Sequence, residues 1–274
     1  MSFKHCEHCK GGYILPGTPK GEMRDGAYFI AGSQSTTAES ESNADSKKKA
    51  VVLLTDIFGL PLVNNKILAD RFADSLGYDV WVPDQFGGWP PMGLSDLDDK
   101  LPQRPGEKLS LLKKIGFILF LITRIPRLFY SRPSVVSQRI QTFIKKLREE
   151  RGYARIGTVG YCFGGVTAIG LLASTDLINS AVICHPGGFS TKQIAQFKVP
   201  TSWQCAEEDF SFKPKLRNET EAILTSQKNV EHEFCDYKGT VHGFAARPNL
   251  DIPESKDGFE KAFEASVNWF KKTL

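Results

Sequence analysis

No positively charged stretch leading into a long apolar run opens the chain, so nothing in its 274 residues marks it for secretion. A strong excess of one charge is missing as well. Its 35 basic and 31 acidic residues leave a net charge of +4, too mild and too mixed for a nucleic-acid partner. The apolar run Ile115 to Ile122 is far shorter than the ~20 consecutive apolar residues a spanning helix needs, so no stable membrane insertion is expected. There is no internal repeat and no disulfide framework. Of the six cysteines, Cys162, Cys184, Cys205 and Cys235 lie singly in apolar segments, as reduced thiols do. His5, Cys6, His8 and Cys9 are ligand types for zinc, but they crowd into five residues with no second pair downstream, too short a segment to wrap one ion. The expectation is a cytoplasmic chain, monomer or homodimer, without metal or cofactor.

What is present is a rhythm. Apolar, β-branched runs at Ala50 to Thr55, Asp79 to Val82, Arg155 to Val159, Ala181 to Cys184, Thr201 to Cys205 and His232 to Tyr237 read as strands. Helical spacing of apolar residues appears at 66–76, 134–151, Phe163 to Ala173 and Phe259 to Lys271. The first of these stops before Gly77, a candidate cap. Strands alternating with helices predict one α/β domain over residues 1–274 with a mainly parallel sheet.

Two segments break the rhythm. Residues 33–49 are polar and read as a flexible loop, a surface hairpin tip between a strand near Tyr28 to Ala31 and the one at Ala50. Residues 101–133 read as an insertion whose apolar run is flanked by Lys108, Lys113, Lys114, Arg124, Arg127 and Arg132. A lid or cap helix over a pocket is the expected reading, and a basic amphipathic face touching a membrane surface is the alternative.

Cys162 stands in Gly160-Tyr161-Cys162-Phe163-Gly164, directly after a strand and before a helix. That is the G-x-S-x-G nucleophile elbow with sulfur in place of oxygen. The turn holds its central residue in strained dihedrals, and side chains at the flanking positions would strike the strand and helix. A thiol nucleophile needs a base, and the base needs an orienting carboxylate. His185, His232 and His242 follow Cys162; of these, His242 lies in a glycine-flanked loop after the last strand, while His185 stands at a strand end. Glu207, Glu208 and Asp209 follow the strand from Thr201, and Asp209 is the chosen acid. Cys162, Asp209 and His242 then keep the order nucleophile, acid, histidine.

With these motifs the chain resembles the dienelactone hydrolase family of α/β-hydrolases, particularly its eukaryotic members, from about Gly17-Thr18-Pro19 to the C-terminus. The resemblance rests on DIFG at 56–59, VPD at 82–84, GYCFGG at 160–165, AEED at 206–209 and HGFAARP at 242–248. It implies the α/β-hydrolase fold, a mainly parallel central sheet flanked by helices, here with a helical cap at about 101–133. It also implies a cysteine triad that hydrolyses lactone or ester bonds of small carboxylated compounds. Cys162 is then the nucleophile, His242 the base and Asp209 its orienter. Asp56 is the acid that holds the resting thiol's proton, and the backbone N–H groups of Phe163 and Ile57 form the oxyanion hole. Bacterial members usually carry glutamate at the position of Asp56, and an arginine after the Pro-Asp pair where this chain reads Gln85-Phe86-Gly87-Gly88-Trp89. Arg247 remains for a substrate carboxylate. Phe86, Trp89, Tyr161 and the cap are expected to shape a site for a more apolar acyl or lactone group. The rival reading is a non-catalytic or redox- or electrophile-responsive binding protein on the same scaffold, and the distance between Asp209 and His242 separates the two.

Overall fold

The computed structural model describes residues 13–34, 48–93, 96, 102–108 and 110–274. The His5, Cys6, His8 and Cys9 cluster lies outside the described residues, as does most of the loop read at 33–49. Strands β1 (Glu22–Arg24), β2 (Ala27–Ile30), β3 (Lys49–Leu54), β4 (Asp79–Pro83), β5 (Arg155–Tyr161), β6 (Ser180–Cys184), β7 (Thr201–Glu208) and β8 (His232–Val241) join in one sheet. The order across it is β1-β2-β4-β3-β5-β6-β7-β8, antiparallel for the first two pairings and parallel from β4 onward.

Alternation along each strand builds two cores, one on each face. Val51 and Leu53 point into a core shared with helices α1 (Val63–Leu76) and α8 (Pro253–Thr273). Ala50, Val52 and Leu54 point into the other, filled by α4 (Pro133–Arg151), α5 (Phe163–Ser174) and α7 (Pro214–Ser226). A sheet covered on both faces needs strands apolar on both, which is why they read as continuous apolar runs. Gly77 closes α1 as expected, left-handed at φ 71° with its N–H on the Ala73 carbonyl. The remaining helices are α2 (Leu111–Thr123), α3 (Ile125–Tyr130) and the short α6 (Thr191–Ile194).

The strands on either side of 33–49, β2 and β3, are not neighbours. β2 runs antiparallel to β4, with Ala27 opposite Pro83 and Ile30 opposite Val80, so β4 lies between the two strands expected to be neighbours. Because β3, β5, β6, β7 and β8 are parallel, their carboxyl ends meet on one side of the sheet, where ligands bind in open α/β folds.

Candidate active site

Cys162 sits where β5 turns into α5, at φ 52° and ψ −107°, a region that costs a non-glycine residue about 1–3 kcal/mol. The surrounding structure holds it there. Its N–H donates to the Cys184 carbonyl at 3.1 Å, and its carbonyl accepts from Gly187 at 3.1 Å and Val166 at 3.2 Å. The flanking glycines answer to close approach. A Cβ on Gly160 would lie 2.4 Å from the Gly164 carbonyl oxygen, and one on Gly164 only 2.0 Å from that of Leu54. The thiol therefore projects from a turn that no other residues at 160 and 164 would allow.

The carboxyl ends of β7 and β8 supply its partners. His242 Nε2 stands 3.1 Å from Cys162 Sγ, and Nδ1 stands 2.9 Å from both carboxylate oxygens of Asp209. Asp209 Oδ1 also accepts N–H groups from Ser211 at 2.7 Å and Phe212 at 2.9 Å. Burial works against its ionisation, but the His242 hydrogen bond and charge and these two N–H groups prevail and lower its pKa. Burial likewise works against a charged His242. The negative charge of the Cys162 sulfur and the hydrogen bonds with Asp209 and Cys162 outweigh it, and the imidazole is pushed up to about 10. The two neighbouring acids are used elsewhere. Glu207 accepts the Gly239 N–H at 2.6 Å, and Glu208 accepts that of Gly106 at 2.5 Å, tying the start of the cap to β7.

A cavity of about 320 Å³ opens over the sulfur, lined among others by Ile57, Phe58, Met92, Leu121, Leu128, Phe210 and Arg247. Leu121 and Leu128 belong to α2 and α3, so these two helices line the pocket. Arg124 anchors it, reaching both carboxylate oxygens of Asp96 at 2.9 Å.

The dienelactone hydrolase family profile matches residues 121–274. The chain belongs to the dienelactone hydrolase family. Among its eukaryotic relatives, hydrolase pyvD of Aspergillus violaceofuscus is 29% identical over 229 residues, 84% of this chain and 83% of that one. The human carboxymethylenebutenolidase homolog is 26% identical over 231 residues, 82% and 83% of the two chains. A dienelactone hydrolase from Anabaena variabilis shares the fold at a TM-score of 0.58, with 11% identity over 90% of this chain and 91% of its own. This dienelactone hydrolase family member is thus a hydrolase, and the rival reading as a non-catalytic binding protein is not favoured.

Within the family frame, several expected contacts fall elsewhere. Asp56 is fully buried and makes no hydrogen bond to Cys162 among the described residues. Its Oδ1 accepts the Phe58 N–H at 3.1 Å and its Oδ2 accepts Arg247 Nε at 2.7 Å. Burial raises its pKa against the pull of Arg247. Arg247 lies at the pocket wall as expected, with its guanidinium 4.9 Å above the Phe58 ring and already paired. Phe86 does not reach the pocket. It is fully buried, edge-on to Phe163 at 5.2 Å, because Gly87 and Gly88, at φ 61° and 81°, turn the chain and send its ring into the core. Tyr161 points to the opposite face of the sheet from that core, since alternation on β5 sets its side chain with Val159. Trp89 is 47% exposed beside Tyr130 rather than over the sulfur.

His185 is the residue that sequence reasoning set aside. At φ 35°, fully buried, it packs 5.1 Å from the His242 ring, and neither ring nitrogen has a partner among the described residues. Burial and the charge of His242 hold it well below its ordinary pKa, hence neutral. Its position at the end of β6 was the available signal. Phe210, one residue past Asp209, covers the other side of His242 at 4.5 Å and had no signal beyond that adjacency.

Proposed function

We propose that the protein is a cysteine-dependent hydrolase of small esters or lactones, working in the cytoplasm. The observation that carries this reading is the unbroken chain from Cys162 Sγ through the two ring nitrogens of His242 to Asp209, at 3.1 and 2.9 Å. The cytoplasmic assignment leans on Cys162, Cys184, Cys205 and Cys235 all being free thiols.

In the first half-reaction Sγ, whose proton already rests on His242 Nε2, bonds to the substrate carbonyl carbon. The oxyanion takes hydrogen bonds from the N–H of Phe163, which as the first residue of α5 has no intrahelical acceptor, and from that of Ile57. The carbon–oxygen bond then breaks, the leaving oxygen takes the proton from Nε2, and a thioester remains on Cys162. Acylation removes the negative charge on sulfur, the largest of the influences that raise His242. The imidazole loses its proton more readily and serves as base toward water. Water adds to the thioester, giving its proton to His242, the carbon–sulfur bond breaks, and the Cys162 thiolate returns as the acid leaves. Asp209 keeps the imidazole in the tautomer this needs. Asp56 acts here as the anchor of Arg247, and the pocket's size and apolar walls favour a compact acyl group.

The test is turnover of p-nitrophenyl acetate by the wild type and by Cys162→Ala. Full activity in the alanine variant ends the proposal, and Cys162→Ser should retain only a small fraction.

A further inference from the structure

The cap has a second apolar face, turned away from the pocket. Among the side chains described on α2, Phe120 and Leu121 pack against the apolar residues beneath it, Phe58, Leu62 and Met92. Leu112, Ile115, Leu119 and Ile122 recur at helical spacing on the outside, with Leu112 81% and Leu119 60% exposed. Ile125 and Phe129 of α3 continue the stripe, Phe129 being 69% exposed. Large apolar side chains exposed together in this way mark an interaction site.

Charge decides what covers it. Across residues 102–133 seven basic residues stand against a single acid, Glu107. Arg104, Lys108 and Arg132 are exposed, and Arg132 lies over the Phe129 ring at 4.7 Å. A symmetric contact with a second copy would set this patch against itself, like charge on like. A negatively charged surface with an apolar interior fits both features at once. At one end of the stripe, Trp89 meets Tyr130 at 5.8 Å under the Arg127 guanidinium, the residue types that settle at a membrane–water boundary. No helix among the described residues is long and apolar enough to cross a membrane.

We infer that the cap docks on an anionic phospholipid surface, with α2 and α3 lying in the plane of the interface. The outer stripe enters the acyl boundary, Trp89 and Tyr130 sit at headgroup level, and Arg104, Lys108 and Arg132 meet the headgroups. The inner face of the same helices lines the pocket over Cys162, so the docked cap brings the pocket close to apolar esters dissolved in the lipid. The docking stands apart from the proposed reaction, because its test reads binding and needs no turnover.

The experiment is co-sedimentation of the full chain with vesicles of phosphatidylcholine alone or mixed with phosphatidylserine. Expected is pelleting with the serine lipid that weakens as salt is raised. Leu119→Glu with Ile122→Glu should abolish it. Arg104→Gln, Lys108→Gln and Arg132→Gln together should lower partitioning about a hundredfold, at roughly fivefold per cation. Both variants should keep wild-type turnover of soluble p-nitrophenyl acetate, which also shows that they fold. Absence of pelleting, or equal pelleting with both vesicle types, overturns the inference. So does a dimer in light scattering that Leu119→Glu dissociates, since a second copy would then cover the face.

Discussion

Around Cys162 the chain is fixed from every side. The strained residue is pinned by backbone hydrogen bonds to Cys184, Gly187 and Val166, its glycine neighbours touch other backbone, and its partner His242 is held by a carboxylate that is itself held by two N–H groups. The outer face of the cap, on the other side of the same pocket, is the reverse: Leu112, Leu119 and Phe129 stand in the open, with the helices anchored through Arg124 and Asp96. Reaction centres need groups preorganised where charge develops, whereas a surface that meets a partner needs only the right exposed chemistry. A substitution near Cys162 should therefore disturb reaction or folding, and one on the outer cap should disturb neither.

The largest effect expected is on Cys162→Ala, with kcat/KM for p-nitrophenyl acetate falling by about 10⁴-fold or more. Asp209→Asn should follow, at roughly 10³–10⁴-fold in kcat, because the imidazole is left in the wrong tautomer. Circular dichroism should show an intact fold, and a loss of only a few fold would mean that Asp209 does not orient His242. Asp56→Ala leaves the Arg247 guanidinium buried and unpaired, and chemical denaturation should read a stability loss of about 3–5 kcal/mol. Asp56→Asn, which can still accept from Arg247 Nε, should lose less.

The pH profile sharpens the same contrast. For His242 the folded pKa is raised to about 10 in the free enzyme, so the stability it contributes is present below its ordinary value and lost as pH rises through about 10. In the acyl-enzyme the sulfur charge is gone and the base must be neutral, so kcat should fall on the acid side around a pKa well below 10. A kcat that begins to rise only near pH 10 would show that acylation leaves His242 unchanged. Smallest of all, Leu119→Glu and Ile122→Glu should change stability by no more than about 0.5 kcal/mol. A large loss would mean that the outer stripe is packed against something in the monomer.

How far the sequence could be read follows the same division. Strands buried on both faces announce themselves as apolar runs, and the elbow declares its glycines, so β3, β5 to β8 and the order of Cys162, Asp209 and His242 were legible. Helix α7 was not, because only Thr220 and Leu224 of its length are buried and the apolar stripe is too thin to see. The pairing of β2 with β4 was hidden because nothing in either strand names its partner. Phe86 and Tyr161 were misplaced for a related reason: nearness along the chain to Pro83-Asp84 or to Cys162 fixes a backbone position, while a glycine turn or strand alternation decides which side the ring takes. Among Glu207, Glu208 and Asp209, the first two reach Gly239 and Gly106, contacts that exist only after folding.

The account turns on a covalent step at one sulfur, and mass spectrometry of enzyme quenched in acid during turnover of p-nitrophenyl acetate reads that step directly. The account predicts an added acetyl group on the peptide that contains Cys162, removable by hydroxylamine as a thioester is. An acetyl group accumulating on any other residue, or turnover that proceeds with Cys162 unmodified throughout, would contradict it.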